Sequence, residues 1–194
     1  MSITAFGTLV TRLRAAGCVF AEDEAALLIA AAGSPDELEA MVRRRIDGLP
    51  LEHVLGWAEF CGLRIVVEPG VFVPRRRTEF LAGQAVVAAT RFAAPVPVVD
   101  LCCGSGALAA VVTARVAGVE PYAADIDPAA VRCARRNLPA GRVYEGDLFD
   151  PLPGDLRGRV AVLVVNAPYV PTGELGLMPA EARLHEAAIA LDGG

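Results

Sequence analysis

The chain has 194 residues, 54% of them hydrophobic, which suits one domain of ordinary size with a small addition. No run approaches the ~20 apolar residues that a membrane-spanning helix requires, so we expect no membrane association. The net charge of −5 argues against stable nucleic-acid binding through phosphates, and five cysteines without zinc-ligand spacing predict reduced thiols and no metal in a cytoplasmic protein.

Three short helices are predicted before residue 50. Apolar residues recur at intervals of three and four over residues 2–16 and 21–32, which is the spacing of one helix face. The third helix has the clearest start, because Ser34 can cap it, Pro35 suits its first position and Glu37 completes a capping box. The arginines at 43–45 favour a solvated face at its end.

A β-hairpin is predicted between these helices and the rest of the chain. Residues 63–67 and 71–73 have the composition of strands, and the residues between them are typical of a turn. Three arginines follow at 75–77, and they fit a solvated surface or a substrate contact equally well. Thr78 can cap the next helix.

Strands and helices alternate after residue 95. Strands are predicted at 96–101, 119–125, 142–147 and 160–165, with helices at 106–117 and 128–138. This alternation is typical of an α/β fold with a parallel, doubly wound sheet. Such sheets usually have about six strands, so we expect that the C-terminal strands are lacking and that the chain is a truncated form of a longer protein. In the usual order 3-2-1-4, the apolar fourth strand would lie at an uncovered edge.

The first predicted strand runs into a glycine loop that opens a helix. Asp100 lies near the end of the strand, and Gly104 and Gly106 follow it. Such a loop lets a ligand lie against backbone N–H groups. Taken alone, the loop suits a nicotinamide dinucleotide as well as S-adenosylmethionine.

The next two strand ends add the remaining parts of an adenosine site. Asp125, followed by Ile126, ends the second strand, where a carboxylate can accept from both ribose hydroxyls. Asp147 follows the third strand and can accept from the adenine amine, while Leu148 or Phe149 packs on the ring. We therefore expect these residues to bind the cofactor together with the glycine loop.

The fourth strand end favours methyl transfer. It carries Asn166-Ala167-Pro168-Tyr169. An amide or aryl-amine nitrogen is a poor methyl acceptor because its lone pair is delocalised. The Asn166 side-chain oxygen and a carbonyl of Ala167 or Pro168 can accept the two N–H bonds of such a nitrogen and direct its lone pair at the methyl group, and Tyr169 can stack on the planar substrate. This predicts Asn166, Pro168 and Tyr169 as catalytic residues, with Asn166 also at the cofactor and Ala167 at the substrate.

These motifs resemble the HemK/PrmC-type protein-(glutamine) methyltransferases, and the likeness covers nearly the whole chain. It includes residues 50–56, 59–62, 74–79, 100–106 and 146–147, Asp125, the tetrapeptide 166–169 and the ending 185–194. The resemblance implies a Rossmann-like domain that binds S-adenosylmethionine and methylates the glutamine amide in the Gly-Gly-Gln loop of a peptide-chain release factor. We expect a helical substrate-recognition domain at 1–56, a β-hairpin linker at 57–77 and a methyltransferase domain at 78–194, with Arg75 at the substrate.

The chain departs from this family pattern in three places. The family usually has Asn-Pro-Pro-Tyr where this chain has Ala167, a glycine in place of Cys102, and Pro-Arg-Pro-Glu-Thr-Glu in place of the segment with Arg76 and Arg77. A side chain at Cys102 is tolerated only if the φ angle there is negative. Together the differences are typical of a paralogous branch.

Two other functions fit the same residues. The tetrapeptide chemistry also serves the exocyclic amine of a flipped adenine, although the acidic net charge disfavours a nucleic-acid enzyme. A binding module without activity, a remnant that keeps only the cofactor site, is the second alternative.

Overall fold

The computed structural model describes residues 3–138 and 142–194. The N-terminal part consists of helices α1 (Ile3–Ala15), α2 (Ala21–Ala31), α3 (Pro35–Ile46) and α4 (Leu51–Leu55), which bury an apolar cluster of their own. Ser34 caps α3 as predicted, since its hydroxyl accepts the N–H of Glu37 at 3.1 Å, but the Glu37 carboxylate accepts from Gly33 instead of Ser34. None of the described helices combines the length and apolarity needed to cross a membrane.

The hairpin joins different strands from those predicted. Strand β1 (Trp57–Phe60) pairs antiparallel with β2 (Leu63–Val66), whereas residues 71–73 form no strand, so the predicted pairing of 63–67 with 71–73 is wrong. The two-residue turn is Cys61-Gly62, with φ angles of 52° and 74°. Positive φ at both central residues is the geometry that matches the twist of a tight hairpin. The proposed division into three domains remains a prediction.

The remaining strands form a four-stranded parallel sheet. Helix α5 (Glu79–Ala89) precedes strand β3 (Val96–Leu101), and helix α6 (Ala107–Arg115), β4 (Val119–Asp125), α7 (Pro128–Asn137), β5 (Val143–Glu145) and β6 (Val162–Val165) follow. The sheet order β5-β4-β3-β6 confirms the predicted order and the α/β Rossmann-like fold class. Thr78 precedes α5, but its side chain makes no capping hydrogen bond.

Strand β6 lies at the edge of this sheet. It pairs with β3 along one side, and no strand within the described residues pairs with its other side. Val162 and Val164 are buried against the helices, while Leu163 and Val165 on the opposite face are 48% and 36% exposed. The carboxyl end of β6 lies beside that of β3, at the centre of the site described below.

The C-terminal segment returns to the N-terminal helices. Helix α8 (Ala180–His185) carries Glu181, which lies 2.6 Å from the guanidinium of Arg45, and Arg45 also contacts Glu24 at 2.6 Å. Arg45 is therefore buried, and the solvated face predicted for residues 43–45 is wrong at this position. Two carboxylates from other elements compensate its charge, and a sequence pattern confined to one helix cannot reveal such partners.

Candidate active site

A cavity lies at the carboxyl ends of the four parallel strands, with about 1160 Å³ of empty space that is partly open to solvent. Most of the residues predicted for the cofactor and the substrate line it. They are Arg75, Gly104, Asp125, Ile126, Asp147, Leu148, Asn166, Ala167, Pro168 and Tyr169. Asp100 and Gly106, also predicted at the cofactor, do not line it.

The two glycines of the loop after β3 have different surroundings. A Cβ atom on Gly104 would meet only Phe72, at 3.9 Å, so the cavity side of this residue is open. A Cβ on Gly106 would lie 2.9 Å from the Leu138 side chain and 3.2 Å from Ala134. Gly104 thus leaves space for a ligand against its backbone, while Gly106 allows α6 and α7 to pack closely.

Asp125 holds the loop and still faces the cavity. Its two carboxylate oxygens accept the N–H groups of Gly104 at 2.8 Å and Asp127 at 2.9 Å. Each oxygen keeps a second lone pair for a ligand. Burial raises the pKa of Asp125, and the two backbone hydrogen bonds oppose that shift.

Asp100 is a buried support beneath the site. Its Oδ2 accepts the N–H of Ala109 in the first turn of α6 at 3.0 Å, while its Oδ1 has no partner among the described residues. Burial raises the pKa of Asp100 to about 8, and the charge of Asp125 adds to the shift. The buried surroundings therefore favour the protonated form of this side chain.

Of the two apolar residues predicted to pack on the adenine ring, Leu148 and Phe149, one lines the cavity. Leu148 lines the cavity, as does Ile126 beside Asp125, and each is about half exposed. Phe149 is 55% exposed and lies outside the lining. Leu148 has a φ angle of 45°, the left-handed conformation that turns the chain after Gly146 and Asp147.

The loop after β6 presents unpaired polar groups. Asn166 is half-buried and lines the cavity, and within the described residues its side-chain amide has no hydrogen-bond partner. Tyr169 is 63% exposed at the mouth. Val170 donates to the carbonyl of Leu191 at 3.0 Å, and Gly193 donates to that of Val170 at 2.9 Å. The C-terminal segment therefore holds this loop in place.

Arg75 is fastened to the same C-terminal segment. Its guanidinium lies 2.6 and 2.7 Å from the two carboxylate oxygens of Glu186, which is buried and also accepts the N–H of Val73 at 3.1 Å. Burial raises the pKa of Glu186, while the positive charge of Arg75 opposes the shift. The Arg75 guanidinium also lies 5.0 Å from the ring centroid of Phe72. It is therefore already ion-paired where it lines the cavity.

Cys102 departs from the sequence expectation in its backbone. Its φ angle is 53°, whereas a side chain at this position was expected to require a negative φ. A non-glycine residue in the left-handed region carries local strain. Cys102 lines the cavity, and burial raises the pKa of its thiol, so it is held in the protonated form.

Several lining residues have no sequence signal of their own. They include Phe60, Phe72, Met178, Ile189 and Leu191. They are isolated apolar positions that only the folded chain brings to the strand ends. Glu186 was recognised only as part of the C-terminal motif, and its pairing with Arg75 joins positions 111 residues apart.

Comparison with known proteins places these features in a family. Residues 62–194 match the methyltransferase small domain family. The chain is 39% identical over 168 residues to a release factor glutamine methyltransferase of Geobacter sulfurreducens, covering 83% of this chain and 57% of that protein. A protein of the same name from Streptomyces coelicolor is 39% identical over 157 residues, covering 79% and 56%.

A relative with another name is nearly as similar. A 4-amino-L-phenylalanine/4-methylamino-L-phenylalanine methyltransferase of Streptomyces pristinaespiralis is 37% identical over 159 residues, covering 79% of this chain and 54% of that protein. The chain thus spans a little over half the length of these relatives. The resemblance to glutamine methyltransferases seen in the motifs is confirmed.

Proposed function

The chain belongs to the methyltransferase small domain family, and we propose that it transfers the methyl group of S-adenosylmethionine to the side-chain amide nitrogen of a protein glutamine. The observation that carries this proposal is the unpaired Asn166 amide, which lines the same cavity as the Asp125 carboxylate. The names of the relatives make a peptide-chain release factor the first protein substrate to test.

The residues at the β3, β4 and β5 ends fit S-adenosylmethionine. The open side of Gly104 leaves room for a ligand against the backbone, and the spare lone pairs of Asp125 suit ribose hydroxyls. Ile126 and Leu148 offer apolar side chains in the cavity for the adenine ring, and Asp147 offers an acceptor for its amine. When bound, this cofactor supplies an electrophilic methyl group on a sulfonium.

The residues at the β6 end suit the acceptor nitrogen. The Asn166 side-chain oxygen can accept one N–H of a planar amide, and the carbonyl of Ala167 or Pro168 can accept the other. Within the described residues neither carbonyl accepts a hydrogen bond, so both are free for this role. Holding both N–H groups directs the nitrogen lone pair at the methyl group of the cofactor and so orients the acceptor for transfer. Tyr169 can stack on the planar group.

The direct test is tritiated methyl transfer. The protein is incubated with methyl-labelled S-adenosylmethionine and a purified bacterial release factor, and the labelled residue is identified by mass spectrometry. The proposal predicts label on a glutamine side chain, and about a hundredfold less when the Asn166→Ala variant replaces the wild type. Label on another residue type, or equal label with the variant, would refute it.

A planar aryl amine is the second candidate acceptor. The groove next to Asn166 is lined by the rings of Phe72 and Tyr169, which suit an aromatic substrate. The relative from Streptomyces pristinaespiralis is named for methylation of an aromatic amine. Methyl transfer to 4-amino-L-phenylalanine, with none to a release factor, would favour this candidate over a protein glutamine.

A further inference from the structure

A groove opens from the acceptor end of the cavity, and its lining is basic and aromatic. It includes Phe72, Arg75, Arg77, Thr78, Asn166 and Tyr169. Among the described residues no aspartate or glutamate lines it. The acidic residues of the site, Asp125, Asp127 and Asp147, line the cavity at its cofactor end. The two ends of the site therefore differ in charge.

The two arginines of the groove are in different electrostatic states. Arg75 is paired with the buried carboxylate of Glu186, so its charge is compensated within the protein. Arg77 is exposed, and no carboxylate in the described part of the chain pairs with it. Arg77 donates a hydrogen bond to the Tyr169 hydroxyl, and its guanidinium lies 5.8 Å from the centroid of that ring. Its positive charge is thus held, uncompensated, beside the ring proposed to stack on the acceptor.

Resting on the methyl transfer proposed above, we propose that Arg77 is a specificity-determining residue that binds a carboxylate of the methyl acceptor. A guanidinium presents parallel N–H groups that match the two oxygens of a carboxylate. The carboxylate can belong to a small amine or to an acidic residue that neighbours the target glutamine. Both sources present the same chemistry to the guanidinium.

Arg77 lines the groove, whereas its sequence neighbour Arg76 does not. Arg76 is exposed but lines neither the cavity nor the groove, so it serves as a matched control. A nucleic-acid phosphate is the less favoured anion, because the chain has a net charge of −5 and phosphate-binding surfaces need several uncompensated basic residues.

Matched acceptors that differ only in charge test the proposal. The small pair is 4-aminophenylacetate and its methyl ester, and the peptide pair is acetyl-Gly-Gln-Glu-amide and its glutamate γ-methyl ester. For one pair, the wild type should prefer the anionic member in kcat/KM by about two- to fivefold, as expected for an exposed charge pair. The preference should fall to about one in Arg77→Gln, persist in Arg77→Lys and be unchanged in Arg76→Gln. The pair that shows the preference identifies the source of the carboxylate, and equal rates within both pairs would overturn the proposal.

A second readout does not depend on methyl transfer. Phenylglyoxal modifies accessible arginines, and peptide mapping reports modification of Arg77 and Arg76 separately. The carboxylate site is supported if the anionic member of an acceptor pair protects Arg77 from modification, the neutral member does not, and neither protects Arg76. This result supports the site even if no methyl group is transferred and the proposed reaction fails. Equal modification with both probes overturns the proposal. So does protection only by duplex DNA that is lost as salt rises, which would assign Arg77 to phosphate instead.

Discussion

The buried carboxylate of Glu186 lies 2.6 and 2.7 Å from the guanidinium of Arg75, a residue 111 positions earlier in the chain. The same carboxylate accepts the N–H of Val73 at 3.1 Å. These contacts fasten the C-terminal segment to the stretch that lines the groove beside Asn166. Two distant segments that line the cavity are therefore held together by one ionic cluster.

Removing this carboxylate should destabilise the fold. Glu186→Ala leaves Arg75 and the buried Val73 N–H without their acceptor, and should lower the free energy of unfolding by about 2–4 kcal/mol in urea titrations. The control is Glu68→Ala, which removes a more exposed pair with Arg136 and should cost less than about 1 kcal/mol. Equal losses in the two variants would show that the cluster does not fasten the segments.

Gly193 lies so close to the tetrapeptide 166–169 that a side-chain methyl group at this position should destabilise the protein. A Cβ on Gly193 would lie 2.9 Å from the carbonyl oxygen of Pro168 and 3.0 Å from the Cα of Tyr169. Gly193→Ala should cost about 1–3 kcal/mol of stability and reduce methyl transfer, because backbone atoms must move. Gly173→Ala is the control, since nothing lies within 4 Å of its added Cβ. Similar thermal unfolding and turnover in both variants would contradict the packing seen here.

The positive φ angle of Cys102 predicts how the stabilities of the wild type, Cys102→Gly and Cys102→Val compare. Cys102→Gly removes the strain of the left-handed conformation but increases the conformational entropy of the unfolded chain. Because these effects oppose each other, the free energy of unfolding should change by less than about 1 kcal/mol. Cys102→Val places a β-branched side chain at a φ of 53° and should cost about 1–3 kcal/mol. Thermal unfolding midpoints of the three proteins check this order. A valine variant as stable as the wild type would mean that the loop adopts a negative φ.

The raised pKa of Asp100 predicts a pH dependence of stability. Its pKa is about 8 in the folded protein against 3.8 as the ordinary value, so the folded state holds the proton more tightly than the unfolded state. The contribution of this group is then fully present below about pH 4 and is lost as the pH rises to about 8.

Asp100→Asn cannot ionise, so its stability should fall less over this pH window than that of the wild type. Urea unfolding from acidic to alkaline pH measures the difference between the two curves. An Asp100→Asn curve parallel to the wild type would place the pKa of Asp100 near its ordinary value.

The elements of the sheet could be predicted from the sequence because each carries its own local signal. Strands β3 and β4 begin and end where predicted, and α7 begins at Pro128 as predicted, where the Asp127 carboxylate accepts the N–H of Ala129 at 2.8 Å. Parallel strands in such folds are buried on both faces and form continuous apolar runs. Their order followed from the usual topology of the fold class.

The features that the sequence did not reveal depend on contacts between distant residues. The hairpin turn was misplaced because Cys61 adopts a positive φ that few residues other than glycine favour. Arg45 is buried through carboxylates on two other elements, and Arg75 is paired with Glu186. A local pattern shows that a residue is charged, but it cannot show which charge will face it after folding.

The proposed function requires that the ends of β3, β4 and β5 bind the cofactor and that the end of β6 positions the acceptor nitrogen. It is tested most directly by measuring cofactor affinity and methyl transfer side by side in two variants. Asp125→Ala should weaken S-adenosylmethionine binding by about 1.5–3 kcal/mol in isothermal titration, through loss of charge-assisted hydrogen bonds. Asn166→Ala should keep cofactor affinity near that of the wild type while methyl transfer to the glutamine acceptor falls by about a hundredfold. Full turnover by Asn166→Ala, or unchanged cofactor affinity in Asp125→Ala, would contradict the account.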